Sequence, residues 1–286
     1  MNTRELKLEQ VTLWVKDNED IRVMLLTSSL ANPLAPIDDF SDLDIELVFE
    51  NMMPYQHNKQ WISIFGKPIA MVEEDEKAFE GKHAMKMVLY EDGVKIDFKL
   101  YTKAEFVKEV NRGILPQDWD VGYKVIVDKD HLTQDLNPPT YQSILIQKPT
   151  EQRFNQVLND CWWDMTYVAK CLVRDEIFYA KFMSENMMRT NYLVPLIEWY
   201  IASQHQWNIT TNKHGRLFKK YLPARLWKQI EATFSGCDIE ENWQALFAYA
   251  DVVHHLGVEL AHTLSYSYPS ELESNIRNYL LDIRRK

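Results

Sequence analysis

Three shortages narrow the reading of this 286-residue chain. Cysteine is scarce: Cys161, Cys171 and Cys237 are odd in number and lack metal-ligand spacing, which argues against a disulfide framework or a zinc knot. They read as reduced packing thiols in a cytoplasm. Long apolar runs are missing too. None approaches the roughly 20 residues that a membrane-spanning helix needs, and residues 1–20 are charged and amphipathic, without the unbroken apolar stretch of a signal peptide. Positive charge is in deficit, with 32 basic against 42 acidic residues and a formal net charge of −10. Such a surface opposes nucleic acid, whose binding rests on phosphate neutralisation, and suits a polycationic small molecule. The expectation is a cytoplasmic monomer with small-molecule partners, and neither nucleic acid nor membrane among them.

What is present is globular. At 46% hydrophobic and 26% charged residues the chain holds enough apolar material for one large or two ordinary domains. Its first informative stretch is residues 27–49, TSSLANPLAPIDDFSDLDIELVF. In a strand, residues i and i+2 share a face about 6.7 Å apart. Leu43, Ile45, Leu47 and Phe49 then face a core, while Asp42, Asp44 and Glu46 point the other way. Like charges at that spacing repel, so such a row is either washed by water or neutralised by cations. Upstream, residues 21–27 are an apolar run of strand length ending in Ser28 and Ser29, small enough for their N–H groups to approach an anion.

Residues 3–17 carry Leu6, Leu8, Val11, Leu13, Trp14 and Val15 at roughly helical spacing. A short helix is expected over 58–65, stopped at Gly66, and an edge strand over 68–72, since Pro68 cannot donate to a ladder. Residues 84–90 and 94–101 flank the Glu91-Asp92-Gly93 turn and predict a hairpin. In its second strand Val94, Ile96, Phe98 and Leu100 face the core, leaving Lys95, Asp97, Lys99 and Tyr101 opposite. Asp97 is either an exposed acid between two lysines or, if this strand lies beside that of Asp42, a third carboxylate joining the first two. A helix over 103–110 and a strand over 123–127 close an α/β region. Beyond Thr150, a candidate N-cap, every long segment has helical period: the first bundle helix, then 176–188, 191–206, 223–234, 240–265 and 269–284. Repeats and low-complexity segments are lacking.

Several motifs together resemble a known family. Pro36-x-Asp38-Asp39-Phe40-x-Asp42-x-Asp44-Ile45, Trp61-x-x-x-Phe65-Gly66-Lys67 and Leu89-Tyr90-Glu91-Asp92-Gly93-x-Lys95-x-Asp97 are similar to the streptomycin (aminoglycoside 6-) adenylyltransferases, within the DNA-polymerase-β-like nucleotidyltransferases. Trp199-x-Ile201-Ala202-Ser203-Gln204 and Lys219-x-Tyr221-Leu222 extend the likeness over nearly the whole chain. The turn departs from it: Ser28-Ser29-Leu30 stands where the family usually has Gly-Ser-Arg. Serine remains small enough for a phosphate turn, but Leu30 cannot replace a guanidinium.

The resemblance implies an α+β protein. An N-terminal polymerase-β-like mixed-sheet catalytic domain, residues 1–147, is followed by a C-terminal α-helical bundle, residues 148–286, with the active site in the cleft between them. It implies transfer of AMP from MgATP to a streptomycin hydroxyl, at the 6-position, with release of pyrophosphate and antibiotic resistance as the outcome. Two Mg²⁺ ions and ATP as co-substrate follow. Asp42, Asp44 and Asp97 are the metal ligands and catalytic carboxylates, with Asp97 either ligand, general base or both. Ser28, Ser29, Lys170, Lys219, Lys220 and Tyr221 are candidates for the nucleotide, with Arg174 one turn from Lys170. Asp160 and Asp164, flanking Trp163, are candidates for the guanidinium groups of streptomycin, or else an outward stripe. Glu91 is a further candidate base or substrate contact. His254, His255, His262 and Glu259 share a helix at spacing that fits no zinc pattern. The alternatives are a protein-modifying nucleotidyltransferase of the antitoxin kind, usually without so large a helical bundle, and a nucleotide-binding protein without catalysis.

Overall fold

β-Branched and aliphatic runs separated by turns close into one mixed sheet, which the computed structural model, describing residues 3–286, orders as β3-β4-β5-β2-β1-β6. The strands are β1 (Ile21–Thr27), β2 (Leu43–Phe49), β3 (Pro68–Glu74), β4 (Ala84–Tyr90), β5 (Lys95–Thr102) and β6 (Tyr123–Asp128). Neighbours are antiparallel except β2 and β5, which run parallel at the centre. Pro68 opens the edge strand β3, where its missing N–H costs no ladder bond.

Contacts divide the chain into two units, Met1–Ile144 and Leu145–Lys286. In the first, both faces of the sheet are covered. One face packs Ile45, Leu47, Phe49, Ile96 and Phe98 under the helix Thr3–Asp17 and the 3-10 segment Gln60–Phe65, with Trp14 stacked on Trp61 at 5.2 Å. The opposite face carries a smaller cluster of Val23, Leu25, Val48, Tyr101, Phe106 and Trp119 beneath the helix Lys103–Val110 and a short helix, Gln117–Asp120. This second cluster corrects the expectation of a polar face. Glu46 is 2% exposed and Tyr101 5%, because residues 103–120 cross over them. Leu6 and Leu13 of the first helix are exposed while Lys7 is buried, its ammonium donating to Phe65 O at 2.7 Å and pairing with Asp92 at 2.7 Å.

The second unit is helical. Thr150 caps Glu151–Val173 by accepting from the Arg153 N–H, and that helix buries Phe154, Leu158, Cys161, Trp162 and Met165 against Ile239–Leu264 and Ser270–Arg284. Where a break is expected near residue 189, the chain stays helical from Ile177 to Gln204, passing through a π-helical stretch, Phe182–Leu193. The wider turn brings Arg189 onto Glu185, the Thr233 hydroxyl and the Thr233 carbonyl. Cys161 and Cys171 are buried as expected of packing residues, whereas Cys237 is exposed. Among the described residues no helix is long and apolar enough to cross a membrane.

Candidate active site

The parallel pairing of β2 with β5 sets Asp44 directly opposite Asp97, Glu46 opposite Lys99 and Val48 opposite Tyr101. One step before the ladder, Lys95 Nζ meets Asp42 Oδ2 at 2.9 Å. Along this face the rungs therefore run acid and base, acid and acid, acid and base, apolar and apolar. Four carboxylates face two ammonium groups.

The rungs are not equivalent. At the buried end, Trp119 Nε1 donates to Glu46 Oε2 at 2.6 Å and Lys99 Nζ lies 3.5 Å from Glu46 Oε1, so every charge has a partner. Burial pushes the Glu46 carboxyl up, opposed by Lys99 and Trp119. At the open end, Lys95 donates to Asp97 Oδ2 at 2.8 Å as well as to Asp42. Asp97 Oδ1 is buried without a hydrogen-bond partner. The Asp44 carboxyl is pushed up to about 6, first by burial and then by Asp97 and Asp42, with Ser28 and Lys95 pulling it back. Burial first, and then two acidic neighbours, disfavour charge on Asp44.

Local structure explains how these groups reach one place. Asp42 precedes β2 at the end of a loop whose Asp38–Ser41 turn is tied by the Ser41 hydroxyl and clamped by Arg4 Nη1, which donates to the carbonyls of Asp38 and Ser41. Ser28 follows β1 at φ +61°, in the left-handed region that favours glycine, where this sequence has serine. Its N–H donates to Gly122 O at 3.1 Å and its hydroxyl hydrogen-bonds Asp44. Gly122 stands at φ +144°, and a Cβ there would lie 3.1 Å from the Ala31 backbone, so only glycine lets β6 approach this turn. Ser29 lies in the same single 3-10 turn, Ser28–Leu30, whose last carbonyl accepts from Lys124 Nζ at 2.9 Å, while Leu30 packs on the core.

The other sequence-derived candidates are distributed as follows. Glu91 is in the exposed β4–β5 turn, paired with Lys67 at 3.1 Å. In the helical unit Asp164 is 9% exposed and accepts from the Tyr192 hydroxyl at 2.9 Å; burial raises its carboxyl. That corrects the picture of an outward acidic stripe. Asp160 accepts from Asn159 Nδ2 at 3.2 Å, and Trp163 is 57% exposed with its ring edge-on to Tyr167. Lys170 Nζ lies 4.4 Å over Tyr167, Lys219 Nζ 5.7 Å over Trp227 and Lys220 Nζ 5.1 Å over Tyr221. His254 is a structural partner of the buried Glu273, at 2.8 Å, where Tyr268 and Arg277 also donate.

The roles of two residues of the site are not legible in the sequence. Lys95 reads as a solvated lysine until the parallel pairing sets Asp42 beside it, although its alternation with Asp97 and Lys99 already assigns it to their face. Trp119 comes from a four-residue helix too short to carry a period.

As they stand, no three His, Cys, Asp or Glu side chains among the described residues form a ready metal cage. The donor set nevertheless fits a hard divalent cation: oxygen ligands, an unpartnered buried Oδ1 and an uncompensated acidic rung.

The sequence model of the streptomycin adenylyltransferase family matches residues 1–283. An aminoglycoside 6-adenylyltransferase of Bacillus subtilis is 30% identical over 269 residues, which cover 92% of this chain and 91% of that protein. One from Campylobacter jejuni is 28% identical over 276 residues, 96% of this chain and 93% of that one. The crystal structure of an aminoglycoside 6-adenyltransferase from Bacillus subtilis aligns over 100% of both chains at 25% identity, with a TM-score of 0.48.

Proposed function

The chain belongs to the streptomycin adenylyltransferase family, and from that premise we propose that it transfers AMP from MgATP to a hydroxyl of an aminoglycoside, with streptomycin accepting at its 6-position. The modified antibiotic is thereby inactivated, and the host is resistant. The observation that carries this reading is the acid and acid rung, Asp44 opposite Asp97, beside a turn of two serines of which Ser28 is left-handed.

In the transfer the acceptor oxygen bonds to the α-phosphorus. The bond from that phosphorus to the oxygen bridging to the β-phosphate breaks, pyrophosphate leaves with the electron pair, and the hydroxyl proton is taken up by a base. A pair of Mg²⁺ ions, when bound, would neutralise phosphate charge and make the acceptor hydroxyl more acidic. Asp42, Asp44 and Asp97 are the residues that would hold it. Asp97, with its free Oδ1, serves either as ligand or as the acceptor of the proton. Ser28 and Ser29 offer hydroxyls and backbone N–H groups to phosphate oxygens. In the helical unit the proposal gives Lys170, Lys219, Lys220 and Tyr221 to the nucleotide, with Asp160, Trp163 and Asp164 to the polycation. The support for those assignments is chemical, in that the ammonium groups of exposed Lys219 and Lys220 and of half-buried Lys170 suit phosphate, while the half-buried Asp160 and the buried Asp164 beside an exposed indole suit guanidinium.

The test is pyrophosphate release from ATP and Mg²⁺ with a panel of aminoglycosides. Release that depends on streptomycin is expected. Release without any aminoglycoside, with AMP appearing on protein, would point to the antitoxin kind of enzyme, and ATP binding without release to a non-catalytic nucleotide binder.

A further inference from the structure

We propose that Lys95 is a resident counter-ion of the carboxylate site, holding Asp42 and Asp97 together in the metal-free chain and giving up their oxygens when a divalent cation takes them. The inference rests on the reading of Asp42, Asp44 and Asp97 as metal ligands and adds a residue that sets how tightly they bind.

The geometry carries it. The Lys95 ammonium lies 2.9 Å from Asp42 Oδ2 and 2.8 Å from Asp97 Oδ2, bridging carboxylates from two neighbouring strands. Those are oxygens that a divalent cation would use. Mg²⁺ takes its ligands at about 2.0–2.1 Å in a strict octahedron, so an ammonium seated between the two carboxylates competes for their lone pairs and repels the incoming ion. Lys95 is also built to leave. Its side chain is 35% exposed and follows the Glu91–Gly93 turn, whereas Lys99, two residues on, is 13% exposed and engaged by both Glu46 and Asp118. Without Lys95, Asp42, Asp44 and Asp97 would face one another with no cation among them, and a divalent ion would meet a stronger field and no competitor. Both effects act in the same direction.

The experiment is Mn²⁺ binding, read as loss of the free-ion electron paramagnetic resonance signal, on parent, Lys95→Met, Lys95→Arg and Asp44→Asn proteins without nucleotide. Lys95→Met should bind Mn²⁺ about tenfold more tightly than the parent, the worth of a charge-assisted contact partly screened by solvent. Lys95→Arg, which keeps the cation, should bind no more tightly than the parent. Lys95→Met should also melt below the parent without divalent cation and gain more than the parent from Mg²⁺. Lys95→Gln reads the same way where the methionine variant does not fold. Equal or weaker Mn²⁺ binding by Lys95→Met, with parent binding intact and lost in Asp44→Asn, would overturn the counter-ion role and leave the metal site standing. A parent that binds no Mn²⁺ through Asp44 would overturn both.

Discussion

Glu46 with Lys99 and Asp44 with Asp97 are adjacent rungs of the same parallel ladder, on the same face, yet they obey opposite rules. The first buries opposite charges and satisfies them, with Trp119 closing the remaining carboxylate oxygen. The second half-buries like charges and leaves one buried oxygen without a partner. A fold gains nothing in stability from the second arrangement. In the proposed reading the charge deficit serves a ligand, and the satisfied rung is the rigid support on which it is held.

Neutralising the open rung should produce the largest change. Asp44→Asn is expected to lower kcat for adenylyl transfer by at least a hundredfold while the metal-free fold keeps or slightly gains stability, since repulsion is relieved. Retention of more than about a tenth of kcat, a loss under about 1.4 kcal/mol, would remove Asp44 from the chemistry.

Breaking the closed rung should do the reverse. Lys99→Met strands a buried carboxylate and should cost about 3 kcal/mol in urea unfolding. A cost below about 1 kcal/mol would mean that Glu46 is held by Trp119 alone.

The pH dependence separates the rungs again. The folded Asp44 carboxyl holds its proton up to about 6, above its ordinary value of 3.8. The favourable contribution of that proton is therefore complete below pH 3.8 and lost as pH rises through about 6. Metal-free parent protein should lose about 2 kcal/mol across that window relative to Asp44→Asn. Parallel stability curves for the two proteins would contradict the charge deficit.

The smallest effect concerns Ser28. Ser28→Ala keeps the left-handed strain and loses the bond to Asp44, so it should cost about 1 kcal/mol, while Ser28→Gly removes both strain and bond and should be near neutral. Equal costs for the two would mean that the left-handed backbone of Ser28 carries no strain.

The legible parts of this molecule were those written in short periods. Alternation in residues 94–101 gave the faces of β5, and the Asp42-x-Asp44 spacing gave the acids, so their convergence needed only the two strands to be neighbours. Thr150 marked the start of the bundle because a cap is a local signal. What stayed hidden depends on distant partners. Glu46 reads as solvated because its cover, Trp119, lies 73 residues away. Asp164 reads as half of an acidic stripe because Tyr192 lies 28 residues on, within a π-helical stretch whose sequence resembles two ordinary helices. The family-like motifs contain Lys95 as well as the acids proposed for the chemistry, but its contact with Asp42 follows only from distances between strands.

The most direct test is thermal melting of parent and Asp44→Asn proteins at pH 8, with and without Mg²⁺ and without nucleotide. If the acid and acid rung is kept for a divalent cation, Mg²⁺ should raise the melting temperature of the parent in a saturable manner and leave that of Asp44→Asn unchanged. Equal Mg²⁺ shifts in both proteins, or none in the parent, would contradict that account.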